Sequence, residues 1–326
     1  MWAYLIRRLA YNIPVYFSIL LLVMLALRVR DPVFGRLGKN ATEDDIVALR
    51  AELGLDRPFY QQYADQVRQV VTFTFDEKSW DYDGQTVGEV LKRCIGPSLA
   101  ITIPALILTS LLSISVSLVS AWFRGRTLDK SLVFVSVLGM SVSFLVYIIF
   151  GQYFGAYRLN EYLGRDLFAI YYEPSASNAT LAEFLTSVWP KYYLLPVMIS
   201  VIVAMGYDTR FYRAVMVEES SKDYITTATA KGASHAKIMF VHMLKNALIP
   251  IITRVVITIP FLITGSFLLE RYFGIPGMGN QLLMAVESGD FPIVQSFTAV
   301  FAAIYILSNL LTDVLYALVD PRVRLS

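Results

Sequence analysis

Six long apolar runs, separated by polar segments, dominate the pattern of this 326-residue chain. Each run holds about 19 to 27 residues, enough for a helix to cross the ~30 Å hydrocarbon core of a bilayer. A helix also satisfies its own backbone hydrogen bonds, which lipid cannot do. The pattern predicts an all-α integral membrane protein with six transmembrane helices, forming one domain over residues 1–326. The runs are Leu9 to Leu27, Pro97 to Phe123, Ser131 to Tyr157, Val188 to Tyr207, Ala247 to Leu269 and Ile293 to Val319.

The polar segments differ in charge, and this difference predicts an orientation. Lysine and arginine collect before the first run, between the second and third, between the fourth and fifth, and after the sixth. Six crossings place these four segments on one side, which the positive-inside tendency makes cytoplasmic. Both termini are therefore predicted in the cytoplasm. Residues 30–96 are predicted to be an extracytoplasmic insertion with a helical pattern in "ATEDDIVALRAELGLDRPFYQQYADQV", and residues 158–187 a second outer segment.

Composition supports a membrane protein without catalytic chemistry of its own. The chain is 56% hydrophobic and 17% charged, whereas a soluble protein has roughly a quarter charged residues. A net charge of +2 gives no polybasic signature for nucleic acid. The single Cys94 excludes an internal disulfide and is predicted to be a small apolar side chain. Neither a phosphate-binding GxxxxGK[ST] motif nor HExxH is present, and His235 and His242 are expected to be ordinary surface residues.

Two charged residues lie within the predicted spans. Arg254 and Asp313 are each about two turns from the inner end of their run, at similar depth. One hypothesis is that they form an intramembrane pair, because isolated charges in lipid are costly. The alternative is that Arg254 extends to the headgroups while Asp313 faces an aqueous cavity.

The polar stretch between the fourth and fifth runs, residues 223–250, predicts a helix–turn–helix that we call the knuckle. "EESSKDYITTATA" contains no helix breaker and its acids lie at the start. Gly232 then supplies a left-handed helix end, Ser234 can cap a second helix through "HAKIMFVHMLKNAL", and Pro250 opens the fifth span. Such a pair could dock into a partner's groove or lie on the bilayer surface.

The knuckle resembles the EAA loop of permease subunits of binding-protein-dependent ABC importers, in the dipeptide, oligopeptide and nickel branch. "YLIRRL", "ELGLDRPFYQQY", "ERYFGIPGMGNQLLMAVESGDFPIVQ" and "NLLTDVLYALVDPRVR" resemble further motifs of that branch, in the same order along the chain. Three departures stand out: Thr226 and Thr229 replace the usual arginines, "RVRDPV" replaces P-G-D-P, and the third span lacks its proline. The matching loop residues are Asp223, Tyr224, Thr227, Ala228, Ala230, Lys231, Gly232, His242, Lys245, Asn246, Ala247, Leu248 and Pro250.

The resemblance implies a type I ABC importer permease fold and a non-catalytic transport subunit in a bacterial or archaeal inner membrane. Its partners would be a second related permease, two ATPases that bind ATP and magnesium, and an extracytoplasmic solute-binding protein. Residues 208–246 would form the cytoplasmic coupling loop, shaped by Asp223 and Gly232, with Ala228 to Ser234 making the contact. A segment of the outer side would serve as a gate, or as a plain turn: Glu270, Phe273, Pro276, Gly277 and Gly279.

Peptides are the cargo that the resemblance favours, with nickel, glutathione and oligosaccharides as alternatives. A stand-alone secondary carrier is a rival that midplane carboxylates and broken helices in matched halves would support, and the sequence shows neither. A membrane enzyme is a second rival, and it would require a catalytic pair that the sequence does not contain. A requirement for ATP would separate the importer from the carrier.

Overall fold

The computed structural model describes residues 2–29, 33, 37, 42–174 and 180–319, without the side chains of 2–5, 260–265, 313 and 315–319. Helices account for nearly all regular structure in these ranges, which confirms the all-α prediction; the only described bridge between extended residues joins Lys78 and Thr86. The first half contains α1 (Trp2–Leu27), α2 (Glu43–Glu52), α3 (Phe59–Thr72), α4 (Val87–Trp122), α5 (Thr127–Ser141), α6 (Phe144–Phe150), a π-helical segment (Gly151–Arg158) and α7 (Leu159–Leu163).

The second half begins with short elements and ends with long helices. Its order is α8 (Leu181–Glu183), a π-helical segment (Phe184–Val188), α9 (Trp189–Tyr192), α10 (Leu194–Ser220), α11 (Asp223–Ala230), α12 (His235–Lys237), a π-helical segment (Ile238–Met243), α13 (Leu244–Phe273), α14 (Met278–Ser288) and α15 (Phe291–Val319).

Five stretches of the described chain are long and apolar enough to cross a membrane, and a bent pair of helices makes six when it counts as one span. The pair is α5 with the helical stretch from Phe144 to Leu163, and the two meet at 93°. The predicted third span, Ser131 to Tyr157, is therefore not one continuous helix but two helical stretches with a sharp bend between them. Val142 is extended (φ −90°, ψ 137°), and Ser141 Oγ donates to the Val137 carbonyl oxygen at 2.7 Å. A serine hydroxyl that bonds to the carbonyl oxygen four residues earlier competes with the backbone hydrogen bonds of its own helix, and it favours a bend at a place where there is no proline.

The fourth span is longer and later than predicted. The sequence places it at Val188 to Tyr207, but α10 covers Leu194–Ser220. The charged residues that seemed to end the span instead lie inside the helix, because Asp208 and Arg213 each contact an opposite charge on a neighbouring helix. The second span also begins earlier than predicted, since α4 holds 36 residues and starts at Val87.

Contacts divide the chain into two units. Unit 1 comprises residues 1–98 and 276–314 and includes the helical insertion predicted after the first span. Thr42 caps α2 through a reciprocal hydrogen-bond pair with Asp45, which fixes the start of that helix. Asp290 joins the insertion to α15: it accepts from Ser79 Oγ at 2.6 Å, and burial raises the pKa of this carboxyl. Cys94 is buried in the apolar core of this unit, as predicted.

Unit 2 comprises residues 99–275 and 315–326, and it carries the knuckle. Two apolar clusters form its core. One gathers around Tyr193, Leu269 and Phe273. The other packs Tyr212 and Met216 of α10 against the knuckle.

Candidate functional site

The knuckle folds as two short helical arms joined by a tight turn. Asp223 begins α11, and Gly232 follows that helix in the left-handed conformation at φ +75°. Ser234 Oγ accepts from the Lys237 backbone N–H at 3.4 Å and so caps the second arm. The predicted roles of Gly232 and Ser234 in ending and starting helices are confirmed. The second arm continues through the π-helical segment into α13, so it has no break before Phe273.

The first arm is shorter than the sequence suggested. Residues 218–230 were predicted as one helix, but α10 ends at Ser220 and Lys222 is extended (ψ 150°). Ser220 Oγ and Ser221 Oγ donate to carbonyl oxygens three residues back, at 2.6 and 2.7 Å. These bonds compete with the helix ladder and permit the chain to turn. Only Asp223 then lies in the first turn of α11, where a carboxylate is favourable.

An apolar cluster fixes the knuckle to the helices of unit 2. Ile225 from the first arm and Met243 from the second are buried in it, beside Tyr212 of α10. The Tyr224 hydroxyl donates to the Glu219 carboxylate at the end of α10, and burial together with this carboxylate raises the pKa of Tyr224 to about 12. The His235 ring lies 4.4 Å from the Trp122 ring at the end of α4. The knuckle is thus a fixed projection from the helices.

A concave surface of about 590 Å³ opens between the two arms. Among the residues predicted to contact a partner, Ala228 is buried, whereas Ala230, Lys231, Gly232 and Ser234 are exposed. The buried Ala228 therefore helps to form the floor of the concavity, and the exposed residues are available to contact a partner. The concavity is lined by Tyr224, Thr227, Ala228, Lys231, Gly232, Ala233, Ser234, Lys237 and His242.

The remaining predicted coupling residues lie around this surface. Asp223 and Asn246 are exposed, and Pro250 is half-buried inside α13. The Asn246 amide donates to the His242 carbonyl oxygen at 2.9 Å, beside the π-helical segment. The exposed lysines give the knuckle a basic surface, and they are Lys222, Lys231, Lys237 and Lys245.

The segment predicted as a gate joins two helices. Glu270 and Phe273 are buried at the end of α13, and Ser266 Oγ donates to Glu270 at 3.0 Å. Gly274 follows in the left-handed conformation at φ +65°, with the Tyr171 ring where a Cβ would lie, 2.1 Å from the nearest ring atom. Only glycine fits this position without displacing the ring.

The other gate residues belong to unit 1, where Gly277 precedes α14. Pro276 is half-buried, and Gly277 and Gly279 are buried. The first turn of α14 is held by Ser98, whose Oγ accepts from the Met278 backbone N–H at 2.8 Å. The geometry is that of two helices linked by a short turn, and the gating role stays a prediction.

Two ion pairs lie between the helices of unit 2, and sequence reasoning missed three of their four residues. Arg254 Nε donates to Asp208 Oδ1 at 3.2 Å. The predicted partner Asp313 has its side chain outside the described part, so that pairing stays a prediction. Asp208 was missed because the fourth span was ended one residue before it.

The second pair is more enclosed. Asp129 is 3% exposed, and it accepts from Arg213 Nε at 2.7 Å and from Arg213 Nη2 at 2.8 Å. The Gly125 backbone N–H at 2.8 Å and the Ser120 hydroxyl complete its partners. These contacts join α4, α5 and α10. Across the described residues, no group of three or more His, Cys, Asp or Glu side chains is arranged to hold a metal ion.

Comparison with known proteins gives matches along the whole chain. Residues 113–325 match the family described as binding-protein-dependent transport system inner membrane component, and residues 1–117 match the family of the amino-terminal part of such membrane components. The probable peptide ABC transporter permease protein y4tP of Sinorhizobium fredii is 30% identical over 326 residues, covering 99% of this chain and 100% of that protein.

Two further relatives have comparable coverage. The dipeptide transport system permease protein DppB of Lactococcus lactis is 32% identical over 323 residues, covering 99% of each chain. The glutathione transport system permease protein GsiC of Escherichia coli is 30% identical over 323 residues, covering 98% of each chain.

Proposed function

Because the chain belongs to the family of inner-membrane components of binding-protein-dependent transport systems, we propose that it forms half of the translocation pathway of an ATP-driven peptide importer. The other half is a second related permease. Two ATPase subunits bind ATP and magnesium, and an extracytoplasmic binding protein delivers the substrate. The names of the relatives support peptides as cargo.

The knuckle is the main structural support for this proposal, because it offers a docking surface for an ATPase subunit. It consists of two short helical arms on a fixed projection, with an exposed concavity of about 590 Å³ between them, and short helices of this kind recognise grooves on partner proteins. Gly232 and Ser234 set the turn, and Lys231 offers an exposed positive charge beside the concavity. Six crossings predict that the other lysine- and arginine-rich segments lie on the same side as the knuckle, which supports a cytoplasmic position for it and for both termini.

The path from the knuckle into the membrane is a continuous helical backbone. The second arm passes without a break into α13, and the Arg254–Asp208 pair connects α13 to α10. When ATP binding draws the two ATPases together, the knuckle moves with its ATPase. The attached helices then reorient and open the pathway to the outer side.

Glutathione is the second candidate cargo, and the relative GsiC supports it. Glutathione is itself a tripeptide, so the same pathway chemistry serves both. The binding protein, which captures the substrate first, would decide between them.

Purification of the complex tests the proposal. A tag at the carboxyl end should recover the ATPases and a second six-span permease in comparable amounts, and transport should require ATP. If the chain is isolated alone and transports without ATP, the secondary carrier replaces the importer.

A matched pair of variants tests the docking surface itself. Lys231 and Lys245 are both exposed, but only Lys231 lines the concavity. Lys231→Glu should reduce recovery of the ATPase at least tenfold, which corresponds to about 1.4 kcal/mol of binding, while Lys245→Glu should leave it near the wild-type amount. Equal effects of the two variants would mean that general charge, not this concavity, holds the ATPase.

A further inference from the structure

Unit 1 contains a polar cavity of about 580 Å³ that has no residue in common with the knuckle or with the predicted gate. It lies beside the carboxyl end of α1 and is walled by α3, the segment that follows α3, and the start of α15. Ligand cavities in proteins are usually roughly 300 to 1,000 Å³. Its size is therefore that of a site for a small molecule rather than for a single water.

Two glutamines one turn apart on α3 line this cavity, and both side chains contain buried atoms without a hydrogen-bond partner. Gln66 is 2% exposed, yet neither its Nε2 nor its Oε1 is hydrogen-bonded. Gln69 Nε2 donates to Glu77 Oε2 at 3.2 Å, but Gln69 Oε1 is also buried without a partner. Buried polar groups are almost always hydrogen-bonded, and leaving one unsatisfied costs about 1–3 kcal/mol. Three such atoms in two residues that line one cavity favour an occupant that both donates and accepts hydrogen bonds, reached by rotation of the side-chain amides.

The charged side chains around the cavity are balanced in sign. This balance disfavours an occupant with a large net charge, such as a nucleotide or a metal ion. It favours a zwitterion, whose carboxylate and ammonium would meet basic and acidic side chains respectively. Burial raises the pKa of Glu77, and a nearby ammonium would stabilise its charged form. The charged residues lining the cavity are Arg28, Arg57, Arg68 and Lys78, and Glu52, Asp65, Asp76 and Glu77.

We propose that this cavity is an accessory binding site for a small zwitterion of the amino-acid or short-peptide class. The primary amide of Gln66 donates to and accepts from the ligand's peptide or terminal groups, and the surrounding charges hold its two ends. That the ligand is a zwitterion follows from the charged residues that line the cavity. That it is a peptide rather than another zwitterion rests on the proposed function. All residues that line the site belong to unit 1.

The test uses the full-length chain in lipid nanodiscs, without ATPase or binding protein, and L-alanyl-L-alanine as the probe. Calorimetry should give saturable binding. Gln66→Leu, which removes both amide atoms at similar volume, should weaken binding at least tenfold. Because it replaces unsatisfied buried atoms by apolar ones, this variant should melt no lower than the wild type. The control is Gln61→Leu, an exposed position on the same helix, which should leave binding unchanged.

Several outcomes would overturn the site. They are the absence of saturable binding up to 10 mM peptide, binding that Gln66→Leu does not alter, and an experimental map in which only water occupies the cavity with peptide present. These results leave the proposed function untouched if the assembled complex still imports peptides with ATP. Conversely, peptide binding here together with no ATP-driven import would refute the importer and keep the site.

Discussion

The contact between α5 and α10 depends on Gly206, and a single methyl group tests it. A Cβ at Gly206 would lie 2.8 Å from the Ser136 carbonyl oxygen and 3.1 Å from the Met140 backbone nitrogen. Both are main-chain atoms of α5, so they cannot rotate away. Small residues permit such close approach of helices in membranes. Gly206→Ala must therefore separate the two helices or bend one of them.

The magnitude follows from two opposing effects. Alanine is favoured over glycine inside a helix by up to about 1 kcal/mol, whereas overpacking a close contact costs about 1–3 kcal/mol. Gly139 provides the control, because it lies on α5 and a Cβ there would meet its nearest atom, the Ile202 carbonyl oxygen, at 3.8 Å. We expect Gly206→Ala to lose about 1–2 kcal/mol of unfolding free energy and Gly139→Ala to lose none.

Thermal unfolding of the purified chain in nanodiscs, followed by intrinsic fluorescence, measures this difference. Titration with a denaturing detergent provides an independent value. The decisive quantity is the gap between the two variants, since both exchange glycine for alanine in a helix. If Gly206→Ala is as stable as Gly139→Ala within about 0.5 kcal/mol, the two backbones are not in the close contact described here.

Three further predictions concern the ion pair, the turn after α13 and the knuckle. Asp129→Ala should cost about 3–5 kcal/mol, because it leaves Arg213 without its buried partner, and a double variant with Arg213→Leu should cost no more than the single one; additive losses in a thermal-unfolding cycle would contradict this. Gly274→Ala should cost at least about 1–2 kcal/mol from its left-handed backbone, and combining it with Tyr171→Ala should recover only the steric part, as unfolding temperatures will show. Tyr224 has its pKa raised from 10.0 to about 12, so its contribution to stability is fully present below pH 10 and lost as the pH rises through about 12; wild type should therefore lose its stability advantage over Tyr224→Phe in that window, and a constant gap would refute the assignment.

Much of the fold was predictable because membrane spans obey a strong physical constraint. Long apolar runs must be helical, so the number and order of the spans followed from hydropathy. The turn of the knuckle was also predictable, since Gly232 and Ser234 are local signals that act within a few residues. The helical pattern in the outer insertion was likewise recognisable, and α2 and α3 lie within it.

Features that depend on partners distant in sequence were not predictable from local patterns. Asp208 and Arg213 look like the end of a span until their partners on α13 and α5 are known. The 93° bend after Ser141 has no proline to announce it. The burial of Gln66 without hydrogen-bond partners could not be predicted from the sequence, because an isolated glutamine on a polar helix normally faces water.

The unbroken helical run from His235 to Phe273 has a mechanical consequence. Arg254 lies at its midpoint, 19 residues from each end, and its ion pair to α10 anchors it there. At 1.5 Å per residue each half is about 29 Å long. If the anchor acts as a fulcrum, the run is a lever with equal arms. A tilt of about 10° would then displace the two ends by about 5 Å in opposite directions. A displacement of the end at the knuckle would therefore produce a displacement of equal size at the opposite end of the run.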